Sequence, residues 1–133
     1  TPFFNTLPHT YPQSPILIQY PMYHYKAHLE RVVDGDTVDF LIDLGFDMHI
    51  RERVRLKGID TPEIRTKDLH EKEEGMRAKD YVESLFVKHG PSVEIHTEYR
   101  RGKYGRTIGR VFFPNGDDLS EKLLEGGYAE KYL

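Results

Sequence analysis

Five side chains stand out for what they could do together: the carboxylates of Asp36, Asp60 and Glu63, and the guanidiniums of Arg55 and Arg106. Asp36 lies in the run Val-Asp-Gly-Asp-Thr-Val-Asp-Phe-Leu that starts at Val33, two places before Val38 and four before Phe40. Alternate side chains of a strand share a face, so a strand opens here with a carboxylate on its apolar side. Asp60 and Glu63 stand where a later apolar stretch breaks at Pro62. A barrel could bring all three acids to one rim. Two Asp side chains and the backbone carbonyl of Thr61 would then make part of the oxygen shell that a hard cation such as calcium prefers, with water completing it. Taken singly, each motif is an ordinary turn sequence. An EF-hand loop is excluded: counted from Asp34, the fifth and sixth positions are Val38 and Asp39, where Asp or Asn and then Gly are required.

The basic residues divide into two groups. Arg51, Arg53, Arg55 and Lys57 share one parity and therefore one strand face, with Val54 and Leu56 on the other. Arg51 and Arg53 read as a solvated outer face. Arg106 follows Tyr104-Gly105 far along the chain. A guanidinium suits phosphate because its planar fork donates paired hydrogen bonds and stays charged. A cation with two guanidiniums could neutralise a phosphodiester and the extra charge of its transition state. A free carboxylate could orient or deprotonate water. The histidines offer no competing ligand set: His24 and His28 are four apart in an expected strand, and His70-Glu71 lacks the second His of a zincin.

Bulk properties narrow the field. A chain of 133 residues predicts one principal folded domain. There is no cysteine, which removes disulfides, thiolate nucleophiles and Cys-based zinc sites. No apolar run approaches the roughly 18 residues of a membrane span. The net charge of −3 means that polyanion binding must come from local basic clusters rather than a global field.

The elements that must position these residues follow from periodicity. Residues 1–21 hold five of the eight prolines and read as an extended arm or non-native linker, leaving 22–133 as the domain. Met22 is a candidate native start, which would make the protein cytoplasmic; it would be secreted if a signal peptide has been removed. Strands are predicted over 23–33, 37–44, 48–59, 92–98 and 107–113. The polar stretch 65–75 reads as a solvated loop. Apolar residues at 78, 81, 82, 85 and 86 predict a helix over 76–88, and Asp118-Leu-Ser-Glu121 predicts the capped start of a short second helix. Five strands with a helix after the third match the five-stranded OB barrel, an α+β arrangement whose mouth and loops commonly bind oligonucleotides.

The order and spacing of "DGDT" at 34–37, "RVRLKGIDTPE" at 53–63, "KYGR" at 103–106 and "GYA" at 127–129 closely resemble the staphylococcal (micrococcal) nuclease family. The resemblance covers roughly residues 24–132. It implies an OB barrel with packed helices and calcium-dependent hydrolysis of DNA and RNA, leaving 3′-phosphate ends. By that resemblance Asp36, Asp60 and the Thr61 carbonyl would ligate calcium and Glu63 would be the general base. Arg55 and Arg106 would bind phosphate and stabilise the pentacoordinate transition state, and Lys103 and Tyr104 would lie near the bound nucleotide. A monomer is expected, with nucleic acid as its partner and no membrane. Three departures stand beside the resemblance: the loop at 45–50 is longer, the chain stops before the family's third helix, and only Tyr132 is a candidate for the tyrosines of the nucleotide pocket. The rival reading is a catalytically inactive module of the same fold that binds nucleic acid or protein; such copies are expected to lose carboxylates or arginines, and all five are present here.

Overall fold

The structure is a computed structural model and describes residues 22–98 and 106–132. The expected arm at 1–21, Lys103 and Tyr104 lie outside the described residues. Among the described residues the order is β1 (Met22–Asp34), β2 (Thr37–Gly45), β3 (Met48–Leu56), β4 (Ile59–Asp60), α1 (Leu69–His89), β5 (Ser92–Glu98), β6 (Thr107–Phe112), α2 (Leu119–Glu125) and β7 (Glu130–Lys131). Five strands close into a barrel in the order β1-β2-β3-β6-β5, and β4 pairs with β7 in a separate two-stranded sheet. This is the expected OB-type barrel, closed by a single parallel pairing in which Val54, Arg55 and Leu56 meet Thr107, Ile108 and Gly109.

Alternation decides what lies inside. Val38, Phe40 and Ile42 of β2 point inward beside Val54 and Leu56 of β3, Ile95 of β5 and Val111 of β6. Ala78, Val82, Leu85 and Phe86 turn one stripe of α1 toward the barrel, and Leu119 and Leu123 of α2 close another side. Each large apolar side chain so buried contributes roughly 1.5–3 kcal/mol. Arg51 and Arg53 occupy the solvated outer face and pair with Glu30 and Asp39. Register shifts in the β1–β2 pairing between Leu29 and Arg31, and again between Val32 and Asp34, bend the strand just before the Asp34–Thr37 turn.

Three expectations are corrected. The third strand does not run unbroken to Ile59: it ends at Leu56, and Gly58 turns the chain at φ 80°, which favours glycine. Ile59 and Asp60 then restart as β4, pairing with Lys131 and Glu130. The stretch 65–75 is not all loop, because α1 begins at Leu69. Its first two turns carry no apolar stripe, yet the Asp68 carboxylate accepts hydrogen bonds from the His70 and Glu71 amides and starts the helix. The segment 45–50 is a hairpin rather than a loop: β2 runs to Gly45 and β3 starts at Met48, with Phe46 and Asp47 turning the chain at φ 53° and 59°.

Candidate functional site at the barrel rim

Asp36 sits in the turn between β1 and β2 with its side chain only 11% exposed. Its carboxylate is held from two sides. The Thr37 hydroxyl donates to Oδ1 at 2.9 Å, and the Thr61 amide donates to Oδ2 at 3.1 Å. Its backbone carbonyl accepts from the Leu56 amide at 2.8 Å, tying the turn to the end of β3. The carboxylate that opens a strand on its apolar side is thus fixed at the barrel rim, in direct contact with the segment that carries Thr61.

Arg55 bridges the acids. Its Nη1 donates to the carbonyls of Leu56 and Ile59 at 3.0 and 2.9 Å, which locks the guanidinium across the Lys57-Gly58 turn. Its Nη2 donates to Asp60 Oδ1 at 3.0 Å and lies 3.4 Å from Asp36 Oδ2. The space expected between Asp36 and Asp60 is therefore spanned by a protein cation, one nitrogen of which serves both carboxylates. Arg106, just before β6, lines the same cleft of about 600 Å³ as Arg55, together with Lys57, Glu98 and Tyr132. Lys57 Nζ is ion-paired to Glu98 on that wall. Tyr132 is held there by its amide, which donates to the Gly58 carbonyl at 2.9 Å.

A second pocket of about 340 Å³ is lined by Asp60 with Thr61, Glu63, Glu71, Glu74 and Tyr128. The Glu63 amide donates to Glu71 Oε1 at 3.2 Å, so the start of α1 is fastened to the predicted general base's own backbone. Gly75 makes this possible: a Cβ there would stand 2.7 Å from the Pro62 carbonyl oxygen and 3.0 Å from that of Glu63. Burial raises the pKa of the Glu63 carboxyl above its ordinary value, and the charges of Asp34, Asp36, Asp60 and Glu71 push it further the same way. Asp60 is raised as well, by burial first and then by the Asp36 charge, with Arg55 pulling in the opposite direction.

These observations bear on whether a hard cation suits the rim. Its donors are oxygens: two carboxylates meeting on one guanidinium nitrogen and a third nearby, so that burial and mutual repulsion raise two of the three pKa values. The Thr61 hydroxyl is buried without a hydrogen-bond partner. An oxygen-lined site with surplus negative charge fits a calcium-type ion, for which Asp36, Asp60 and the Thr61 carbonyl are the candidate ligands. Sequence reasoning brought Asp36, Arg55, Asp60, Thr61, Glu63 and Arg106 into view. It missed Glu71, whose signal was present: Asp68-Leu-His-Glu71 has the spacing of a capping box.

Residues 53–133 match the family model described as staphylococcal nuclease homologue. The chain is 37% identical over 106 residues to the thermonuclease of Staphylococcus intermedius, covering 76% of this chain and 56% of that protein. It is 31% identical over 102 residues to an uncharacterized endonuclease of Escherichia coli, covering 77% and 58%. It is 30% identical over 130 residues to the uncharacterized protein MJ1439 of Methanocaldococcus jannaschii, covering 83% and 60%. The chain thus spans about three fifths or less of the length of these curated relatives.

Proposed function

The chain belongs to the staphylococcal nuclease family, and from that premise we propose that it is a calcium-dependent endonuclease. It would hydrolyse phosphodiester bonds of DNA and RNA with little sequence preference and leave 3′-phosphate ends. The observation that carries this reading is the placement of Arg55, with Nη2 at 3.0 Å from Asp60 and 3.4 Å from Asp36, on the wall of a cleft that Arg106 also lines.

Asp36, Asp60 and the Thr61 carbonyl would hold the calcium ion. When bound, the ion would neutralise the paired carboxylates and polarise a phosphate oxygen. The remaining chemistry falls to the chain's own groups. Arg55 keeps Nη1 on its two backbone carbonyls while Nη2 turns from the carboxylates to a phosphate oxygen, a short swing with little reorganisation. Arg106 approaches from the neighbouring strand and shares the charge that builds on the equatorial oxygens. Glu63 accepts a proton from the attacking water, which adds to phosphorus as the P–O5′ bond breaks and the 5′ oxygen leaves, taking a proton from solvent to become the 5′-hydroxyl. Its raised pKa makes Glu63 a stronger base than an ordinary carboxylate. Tyr132, on the cleft wall, offers a ring against which a base can stack.

The test is digestion of denatured DNA with calcium or with chelator, using the intact protein and the Glu63→Gln variant. Cutting that requires calcium and falls by about a hundredfold or more in the variant is expected. Equal cutting in chelator, or full activity of the variant, would refute the mechanism. Binding without any cutting would mark an inactive module of the same fold.

A further inference from the structure

The outer wall of the barrel carries a second group of ligand-bearing side chains, remote in kind from the oxygen-rich rim. β1 and β5 run antiparallel in a register that sets His24 opposite His96. Their rings stack with centroids 3.7 Å apart and planes within 4°. Glu94, two residues before His96 on β5, projects from the same face. Its Oε1 lies 2.6 Å from His96 Nε2 and 3.8 Å from His24 Nδ1. One donor atom from each of the three residues falls within 4.8 Å of the others, and among the described residues this is the sole trio of His, Cys, Asp or Glu to do so.

The arrangement is built rather than incidental. His96 is held on both faces of its ring, by His24 on one side and by Phe112 of β6 at 4.5 Å on the other. That packing leaves its side chain only 21% exposed. All three residues belong to regular barrel strands; because stacked rings hold their nitrogen lone pairs in parallel planes, the exposed His24 ring would turn out of the stack to share one ion with His96. Two imidazole nitrogens and one carboxylate oxygen select borderline dications such as zinc, nickel and copper over calcium. We infer that His24, Glu94 and His96 form a binding site for a zinc-class dication on the outer wall of the barrel. The ion would replace the His96–Glu94 hydrogen bond, the proton on Nε2 moving to the other ring nitrogen. Water completes the coordination from the neighbouring cleft of about 700 Å³, on whose wall Glu94 and His96 stand. The ion would clip the start of β1 to β5 and so stiffen the first strand of the barrel.

The experiment is calorimetric titration of zinc chloride into the full chain, repeated for His24→Ala, His96→Ala, and the Asp36→Asn/Asp60→Asn double variant. Cobalt absorption serves as a second readout, because nitrogen ligation of Co(II) gives visible bands. One zinc per chain is expected, with affinity falling at least about tenfold in each histidine variant. The double variant should bind zinc as the parent does, and excess calcium should not displace it. His24 is 57% exposed, so its loss leaves the barrel intact, which circular dichroism will verify. Should His96→Ala fail to fold, Glu94→Gln replaces it. No zinc binding by the parent, unchanged zinc affinity in the histidine variants, or loss of zinc binding in the double variant would each overturn the assignment.

Discussion

Arg55 should be a structural clamp as well as a phosphate ligand, and Arg55→Met separates the two roles. The variant removes the hydrogen bonds to the Leu56 and Ile59 carbonyls, worth about 1 kcal/mol each. It also leaves Asp36, whose side chain is 11% exposed, without a counter-charge 3.4 Å away, adding about 1.5–2 kcal/mol. The Asp60 contact adds less than ~1 kcal/mol because that carboxylate is 56% exposed. The sum is about 3–5 kcal/mol, the usual range for removing one partner of a largely buried pair. Asp36→Asn alone should cost about 1–2 kcal/mol, since one amide oxygen can serve only one of the two donors, the Thr37 hydroxyl and the Thr61 amide. In the double variant the uncompensated charge is gone. Its cost should therefore fall below the sum of the single costs by about 1–2 kcal/mol. Urea denaturation at neutral pH without divalent ions measures all three variants. Additivity within about 0.5 kcal/mol, or a cost below about 1 kcal/mol for Arg55→Met, would refute the clamp.

Other consequences are equally direct. Calcium at a hundred times its Kd should stabilise the chain by about 2.7 kcal/mol, and Asp36→Asn should abolish that gain in a thermal melt. The raised pKa of Glu63 means that its ionisation opposes folding. Glu63→Gln should therefore stabilise the calcium-free protein at pH 7 and leave it unchanged well below the ordinary Glu value, as denaturation at the two pH values will show. Asp39 has the opposite sign. Its hydrogen bond to Arg53 lowers its pKa, so the pair adds less than ~1 kcal/mol above the ordinary Asp value and loses it as the pH falls through the lowered one. Asp39→Asn should accordingly cost stability at pH 6 and nothing in strong acid. Gly75→Ala should lower stability by about 1–3 kcal/mol and reduce the proposed nuclease activity with it, because the added methyl would press on the Pro62 and Glu63 carbonyls.

How much of this was legible in the sequence depended on range. Two-residue alternation placed Val38, Phe40 and Ile42 inside and set Asp36 on their side, and five barrel strands followed from similar local signals. The 3.6-residue period found Ala78, Val82, Leu85 and Phe86 but could not see the first turns of α1, which bury a glycine rather than an apolar stripe and start from the Asp68 cap. What depended on long-range register stayed hidden. Nothing near Asp60 announces that Glu130 pairs with it, and nothing near His24 announces His96. The histidines therefore offered no ligand set in the sequence, whereas the β1–β5 register stacks two of them beside Glu94.

The parallel pairing that closes the barrel has a consequence for the substrate. It is only three residues long, and Arg55 sits within it, opposite Ile108, while Arg106 stands just ahead of its other strand. Antiparallel neighbours elsewhere share four to eight paired positions, so this is the place where the cylinder has the least to keep it shut. On the proposed function, a phosphate gripped by both arginines would bridge the join from outside, the nucleic acid acting as a strap around the hoop. Amide exchange along Val54–Leu56 and Thr107–Gly109 should slow when a non-hydrolysable strand is bound, more than anywhere else in the barrel.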